Sequence, residues 1–256
     1  MSVLERSEQA GVQTLTLNRP EKRNALNLDS WEALRDTLEL LRKESARCVV
    51  IKGAGGAFCA GGDVGEASTS DAHYIEKIYK ITHEVVLSLY TLPCPTIAMI
   101  HGATVGAGLE LALACDFRFA TDKAMFAVGF TRFAAPPEAI SAVMLPRLVG
   151  LERAKQFVFG EERWTGEQAH GYGLISEQFK AHTLERETVA FATRLANGPT
   201  QAFAFGKALM NDSYEKTVGE TIADTARLGL ASQRSEDAKE AIDAFVERRE
   251  PMFTGR

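Results

Sequence analysis

Apolar and polar residues alternate over Val12–Leu17, the period of a half-buried β-strand, and Asn18-Arg19-Pro20 then breaks the run into a polar loop. From about Leu28 the spacing changes. Trp31, Leu34, Leu38 and Leu41 recur at the interval of a helix with one buried face, and Cys48-Val-Val-Ile-Lys reads as a buried strand ending at Gly53. Residues 53–63 are too rich in glycine for a helix or a regular strand and predict a loop with unusual dihedrals. A helix is expected near residues 72–92, where Pro93 and Pro95 stop it. Thr96-Ile-Ala-Met-Ile predicts a third buried strand, and a second glycine turn, Gly102 to Gly108, opens a mostly apolar helix. The unit of strand, glycine loop and helix therefore occurs twice. Asp116-Phe-Arg-Phe-Ala and Ala124-Met-Phe-Ala predict two more strands. From Glu138 onward helical patterns dominate, broken at Gly150, Gly160, Gly173 and Gly198-Pro199. The pattern is α/β in the first half and helical in the second. We divide it into a core over residues 1–195 and a helical region over residues 196–256 that covers a partner subunit.

Composition narrows the classes. The chain has 256 residues, 45% hydrophobic and 25% charged, as a folded globular protein has. Its net charge of −5 gives no global positive field for nucleic acid or an anionic membrane. The four cysteines form no CxxC pair and no His stands at metal-ligand spacing, which argues against a metal site or a redox dithiol. No apolar stretch is long enough to span a bilayer, and the N-terminus lacks the apolar segment of a secretory signal. A cytoplasmic protein with no nucleic-acid or membrane partner is expected.

Neither glycine loop fits a nucleotide fingerprint: Gly106-Ala-Gly108 lacks the third glycine of GxGxxG, and no GxxxxGK[ST] occurs. A loop placed after a strand and before a helix can instead turn a backbone N–H into a pocket, and two such donors converging make an oxyanion hole. That implies a carbonyl substrate. A Gly-x-Ser-x-Gly elbow is missing, so enolate chemistry with a carboxylate as acid/base fits better than acyl transfer through a serine. Glu110 is the best carboxylate, because its neighbours in Gly108-Leu-Glu-Leu-Ala-Leu-Ala-Cys115 are apolar and burial raises a carboxyl's pKa toward neutrality. Glu138 follows Pro136-Pro137. A proline and an acid at a helix entrance commonly serve the helix alone, so a structural role competes with a chemical one there.

Taken together these residues resemble the crotonase superfamily, also called the enoyl-CoA hydratase/isomerase family. The likeness covers nearly the whole chain: Leu17-Asn-Arg-Pro-Glu-Lys-Arg-Asn-Ala-Leu-Asn27, Ala57-Phe-Cys-Ala-Gly-Gly-Asp63, Pro95 through Asp116, and Ala169-His-Gly-Tyr-Gly-Leu-Ile175. The resemblance implies a spiral of ββα repeats with a helical C-terminal trimerisation region, and trimers that often pair into hexamers. It implies an acyl-CoA substrate, with coenzyme A as part of the substrate and no other cofactor. By motif, the oxyanion donors would be the backbone N–H groups of Ala60 and Ala107, the latter provided its turn needs no positive φ there. Asn24-Ala25-Leu26 matches the segment lining the CoA channel, with Arg23 next to it as a CoA-binding candidate. Arg23 fits equally a phosphate partner or a solvated surface charge.

Glu110 matches the first catalytic glutamate of enoyl-CoA hydratases. Phe130 stands where those enzymes carry the second, which puts simple hydration in question because hydration uses two carboxylates to hold one water. Pro136-Pro-Glu138-Ala-Ile-Ser-Ala resembles the Ser-Pro-Glu-Gly segment of peroxisomal-type enoyl-CoA isomerases, whose glutamate shuttles a proton. Phe130 and Phe133 are candidates for the acyl pocket or for packing under the next helix. The expected function is hydration or isomerisation of an enoyl-CoA. The alternatives are a dedicated 3-enoyl-CoA to 2-enoyl-CoA isomerase using Glu138, or a non-catalytic acyl-CoA-binding member of the fold.

Overall fold

The computed structural model describes residues 2–67 and 71–256. β1 (Leu4–Gln9) pairs antiparallel with β2 (Val12–Leu17) across a tight turn at Ala10 and Gly11, whose φ values of 51° and 75° match a two-residue hairpin. After α1 (Leu28–Lys43), β3 (Cys48–Gly53) joins β2 in parallel. The short α2 (Val64–Ala67) and long α3 (Ala72–Tyr90) precede β4 (Thr96–Ile100), which lies parallel to β3.

The chain then leaves the main sheet for β5 (Ala103–Val105) and α4 (Ala107–Ala114), and returns in β6 (Phe117–Thr121), parallel to β4. It leaves again for β7 (Met125–Ala127), parallel to β5. Each excursion is a strand in the large sheet, a strand in the small sheet and a helix, so the winding is a spiral of ββα units. Next come α5 (Ala139–Val149), α6 (Leu151–Phe159), β8 (Trp164–Thr165), α7 (Gly166–Gly171), β9 (Glu177–Phe179) and α8 (Ala181–Ala196). The described strands form a six-stranded sheet ordered β1-β2-β3-β4-β6-β9 and a three-stranded sheet ordered β5-β7-β8. α9 (Thr200–Asp212), α10 (Val218–Ser232) and α11 (Glu236–Glu247) complete the chain.

β3 and β4 are buried along nearly their whole length because the parallel sheet is covered on both faces. Val49 and Ile51 join Leu34, Leu38, Val85 and Leu109 in one core, while Val50, Ile97 and Phe119 face Leu184, Ala192 and Ala196 of α8 in another. α4 lies wholly inside: all eight of its residues are buried. Gly108 lets it approach the 53–63 loop, since a Cβ there would stand 2.5 Å from the Cys59 carbonyl oxygen. α9 is tied to this core by Lys207, whose buried ammonium donates to the Asp116 carboxylate at 2.9 Å and the Cys94 carbonyl at 3.2 Å.

Four strands escaped the sequence pattern: β1, β5, β8 and β9. β1 buries only Leu4 and has no alternation to detect, and the others are two or three residues long. Among the described residues no helix is long and apolar enough to cross a membrane.

Candidate active site

The two glycine segments meet at the N-terminus of α4. Phe58 and Cys59 run beside the approach to α4, with the Phe58 N–H on the His101 carbonyl at 2.7 Å and the Cys59 N–H on the Ala103 carbonyl at 3.0 Å. One site expectation fails here. The Ala60 N–H is spent on the Arg23 carbonyl at 3.0 Å, so Ala60 is not a free oxyanion donor. Its neighbours explain which residue is. The Leu26 N–H binds the Gly61 carbonyl at 2.8 Å, and the Asp63 N–H binds the Leu26 carbonyl at 2.9 Å. In this parallel bridge Leu26 bonds the residues on either side of Gly62, so the Gly62 N–H faces away from Leu26. It has no hydrogen-bond partner among the described residues, and a Cβ on Gly62 would meet nothing within 4 Å. Gly62 borders open space. The signal for it was this pairing with Leu26, which is not written in the local sequence.

Ala107 stands where expected. The positive φ of the turn, 52°, falls on Gly106, and Ala107 is the first residue of α4, so its N–H is one of the unpaired donors of a helix start. A Cβ on Gly61 would lie 3.8 Å from the Ala107 nitrogen, so the two turns touch. Gly62 and Ala107 thus offer two backbone donors on adjoining turns.

Glu110 lies one turn further along α4 and is 1% exposed. Its Oε2 accepts the N–H groups of Ile140 (3.2 Å) and Ser141 (3.3 Å) in the first turn of α5, while its buried Oε1 has no partner among the described residues. Burial pushes the Glu110 carboxyl up to about 7; hydrogen bonds from Ser141 oppose this and the nearby Glu138 charge adds to it. Glu138 is the N-cap residue of α5, yet its side chain caps nothing and is left half-buried. Burial raises its pKa too, opposed by His83 of α3. Two carboxyl groups therefore lie within electrostatic reach of one another near the start of α5.

The raised pKa of Glu110 has a measurable cost. A carboxyl that is harder to ionise when folded stabilises the fold below its ordinary pKa and loses that stability as pH rises through about 7. We expect wild type to lose about 3 kcal/mol relative to Glu110→Gln between acid and mildly alkaline pH. Denaturant midpoints near pH 4 and pH 8 check this. An unchanged difference would contradict burial of an ionisable Glu110.

Arg19, which the sequence pattern did not single out for the site, and Asn24, the first residue of the expected CoA-channel segment, hold the segment opposite. Arg19 pairs with Asp63 at 2.9 Å and donates to the Ala25 carbonyl at 2.6 Å. The buried Asn24 amide donates to the carbonyls of Ala54 and Ala57, both at 2.8 Å. Residues 23–26 are thereby fastened to the 53–63 loop. The Arg23 side chain is exposed and forms no ion pair among the described residues; Leu26 is buried and Ala25 half-buried. The Phe130 ring is half-buried, 3.8 Å from where a Gly106 Cβ would stand. Phe133 is 65% exposed.

The profile of the enoyl-CoA hydratase/isomerase family matches residues 7–256. The chain belongs to this family. It is thus an enzyme of the enoyl-CoA hydratase/isomerase kind. It is 37% identical over 247 residues to a Rhodobacter capsulatus protein named as a probable enoyl-CoA hydratase, covering 96% of this chain and 95% of that one. It is 31% identical over 254 residues to the Escherichia coli 1,2-epoxyphenylacetyl-CoA isomerase, covering 96% of each. The crystal structure of an enoyl-CoA hydratase from Bacillus anthracis superposes with a TM-score of 0.95 at 29% identity, over 99% of this chain and 100% of that one. The crotonase fold of this family is therefore that of the chain.

Proposed function

We propose that this enzyme moves the double bond of an enoyl-CoA from the 3- to the 2-position through a dienolate held by the Gly62 and Ala107 N–H groups. The observation that carries this reading is the placement of the carboxyl groups. Glu138 is uncapped and half-buried within electrostatic reach of Glu110, while Phe130 presents an aromatic ring where hydratases hold their second carboxylate. The Glu138 carboxylate takes a proton from C2. The C2–H electrons form a C1–C2 double bond, conjugated with C3–C4, as the carbonyl π electrons move onto the thioester oxygen, which lies at the N-terminus of α4 where two N–H donors and the helix dipole favour negative charge. Glu138 then returns the proton to C4, the C2–C3 double bond forms, and Glu138 ends ionised as it began. Glu110, with a pKa of about 7, is substantially uncharged at neutral pH, which spares the dienolate a second negative neighbour.

Arg23, exposed and in no ion pair among the described residues, suits the phosphates of CoA, with Ala25 and Leu26 beside the pantetheine, and Phe130 and Phe133 border the acyl end. The test is optical. Formation of a conjugated 2-enoyl thioester from 3-enoyl-CoA raises its ultraviolet absorbance, whereas hydration of 2-enoyl-CoA lowers it. We expect the rise to be much the faster. A chain inert toward 3-enoyl-CoA that hydrates 2-enoyl-CoA would overturn the reading in favour of hydration through Glu110, and tight acyl-CoA binding with neither change would favour a binding protein.

The C-terminal helices carry exposed Met210, Val218, Ile222, Leu230, Phe245 and Val246, an apolar surface that suits burial against further copies of the chain. We propose a homotrimer or a pair of trimers. Light scattering should give three or six times 27.9 kDa, and a monomer at micromolar concentration would contradict it. All four cysteines are buried and unpaired, as suits the cytoplasm.

A further inference from the structure

Arg118 of β6 is a cation in the interior that the Asp116 carboxylate reaches only at longer range. It is 5% exposed and makes no ion pair among the described residues. Burying a guanidinium without partners is costly, so its donors must be satisfied by something else. They go to backbone carbonyls. Nε donates to Leu174 at 2.8 Å, and Nη1 donates to Cys115 at 2.7 Å and, more weakly, to Ala112 at 3.5 Å. Ala112 lies in the last turn of α4 and Cys115 is its C-cap; the Cys115 N–H already reaches the Ala112 carbonyl at 3.3 Å, and the carbonyls at this end carry the negative end of the helix dipole. A planar fork with donors in fixed directions can bridge such carbonyls in a way a single ammonium cannot.

The Leu174 carbonyl is itself held in place. Gly173, at φ 83°, turns the chain after α7, and the Leu174 N–H returns to the Ala169 carbonyl at 2.8 Å. The main chain of Arg118 is pinned to the next residue pair, its N–H on Ser176 Oγ at 3.2 Å and its carbonyl on the Ser176 N–H at 2.8 Å. The Ala169–Ile175 segment, which no step of the proposed reaction uses, is thus the abutment against which Arg118 fixes the end of α4.

α4 has only eight residues, about 12 Å at 1.5 Å per residue, so a shift of its last turn reaches its first. We propose that Arg118 is a positioning residue of the active site, holding the C-terminal carbonyls of α4 so that the Ala107 N–H and the Glu110 carboxyl stay where the thioester meets them. This rests on the reading of Gly62 and Ala107 as donors to the thioester oxygen.

The test compares wild type with Arg118→Met and Arg118→Lys, using turnover of 3-enoyl-CoA and the absorbance of bound cinnamoyl-CoA. That chromophore moves to longer wavelength as its carbonyl accepts stronger hydrogen bonds, so it reports donor placement directly. Misplacement of a catalytic group by about 1 Å costs on the order of 100-fold in rate. We therefore expect kcat to fall about 10- to 100-fold in Arg118→Met, with KM within about 3-fold, and the red shift of the bound chromophore to shrink. Arg118→Lys keeps the charge without the fork and should fall between. A folded variant of either kind, judged by its melting temperature and circular dichroism, that keeps wild-type kcat and the full red shift overturns the proposal. Should Arg118→Met not fold, the lysine variant alone decides by the same criterion. Wild type that binds cinnamoyl-CoA with no red shift overturns the donor reading first, and this inference with it.

Discussion

Replacing Glu138 by glutamine is expected to lower kcat for conversion of 3-enoyl-CoA to 2-enoyl-CoA by about 10²- to 10⁴-fold, the range supplied by one positioned acid/base. The amide is close in shape to the carboxyl but cannot take the C2 proton. Because Glu138 makes no hydrogen bond through its side chain among the described residues, the substitution breaks no structural contact, and KM should move little. Removing an N-cap side chain that caps nothing should also leave the melting temperature near wild type. A fall in stability matching the fall in rate would point instead to a structural role at the entrance of α5. Steady-state kinetics and a thermal melt on the same sample separate the two.

Ala107→Pro is expected to have a comparable effect for a different reason. Ala107 is the first residue of α4, the helix position that tolerates proline best, since its N–H has no partner in the helix. The preceding Gly106 already holds a φ of 52° that few other residues would accept, and it can adapt to the ring. The variant should fold. It loses one of the two proposed donors and sets a ring carbon in its place, and loss of a single oxyanion donor costs about 10² to 10³ in kcat, or about 2.7–4 kcal/mol. A folded Ala107→Pro enzyme with unchanged kcat would remove α4 from the account of the enolate. The same measurement on Ala60→Pro probes a different contact, the bond to the Arg23 carbonyl that fastens residues 23–26.

Much of the scaffold was legible because its strands and helices bury regular faces. Leu34, Leu38 and Leu41 are all wholly buried, as their spacing predicts, and β3 and β4 read as continuous apolar runs because both faces of the sheet are covered. β1 was hidden because an edge strand that buries only Leu4 leaves no period to read; its pairing is set by the turn at Ala10 and Gly11. The site divides along the same line. The apolar neighbours of Glu110 announced a buried carboxyl, and the structure adds what sequence cannot carry: that its Oε2 meets the N–H groups of Ile140 and Ser141 in the first turn of α5, about thirty residues away. Which N–H of Ala57-Phe-Cys-Ala-Gly-Gly-Asp63 stays free depended on the pairing of Leu26 with Gly61 and Asp63. The anchoring roles of Arg19 and Arg118 were equally out of reach, because each depends on carbonyls brought close by the fold.

The proposed reaction moves a proton and adds no water. The most direct measurement is the mass of the product formed from 3-enoyl-CoA by the wild-type enzyme in isotopically labelled water, with the oxygen label followed by mass spectrometry. We expect 2-enoyl-CoA of the substrate's composition, free of the oxygen label, as the first and main product. A product heavier by one labelled water, appearing as fast as substrate is consumed, would contradict it.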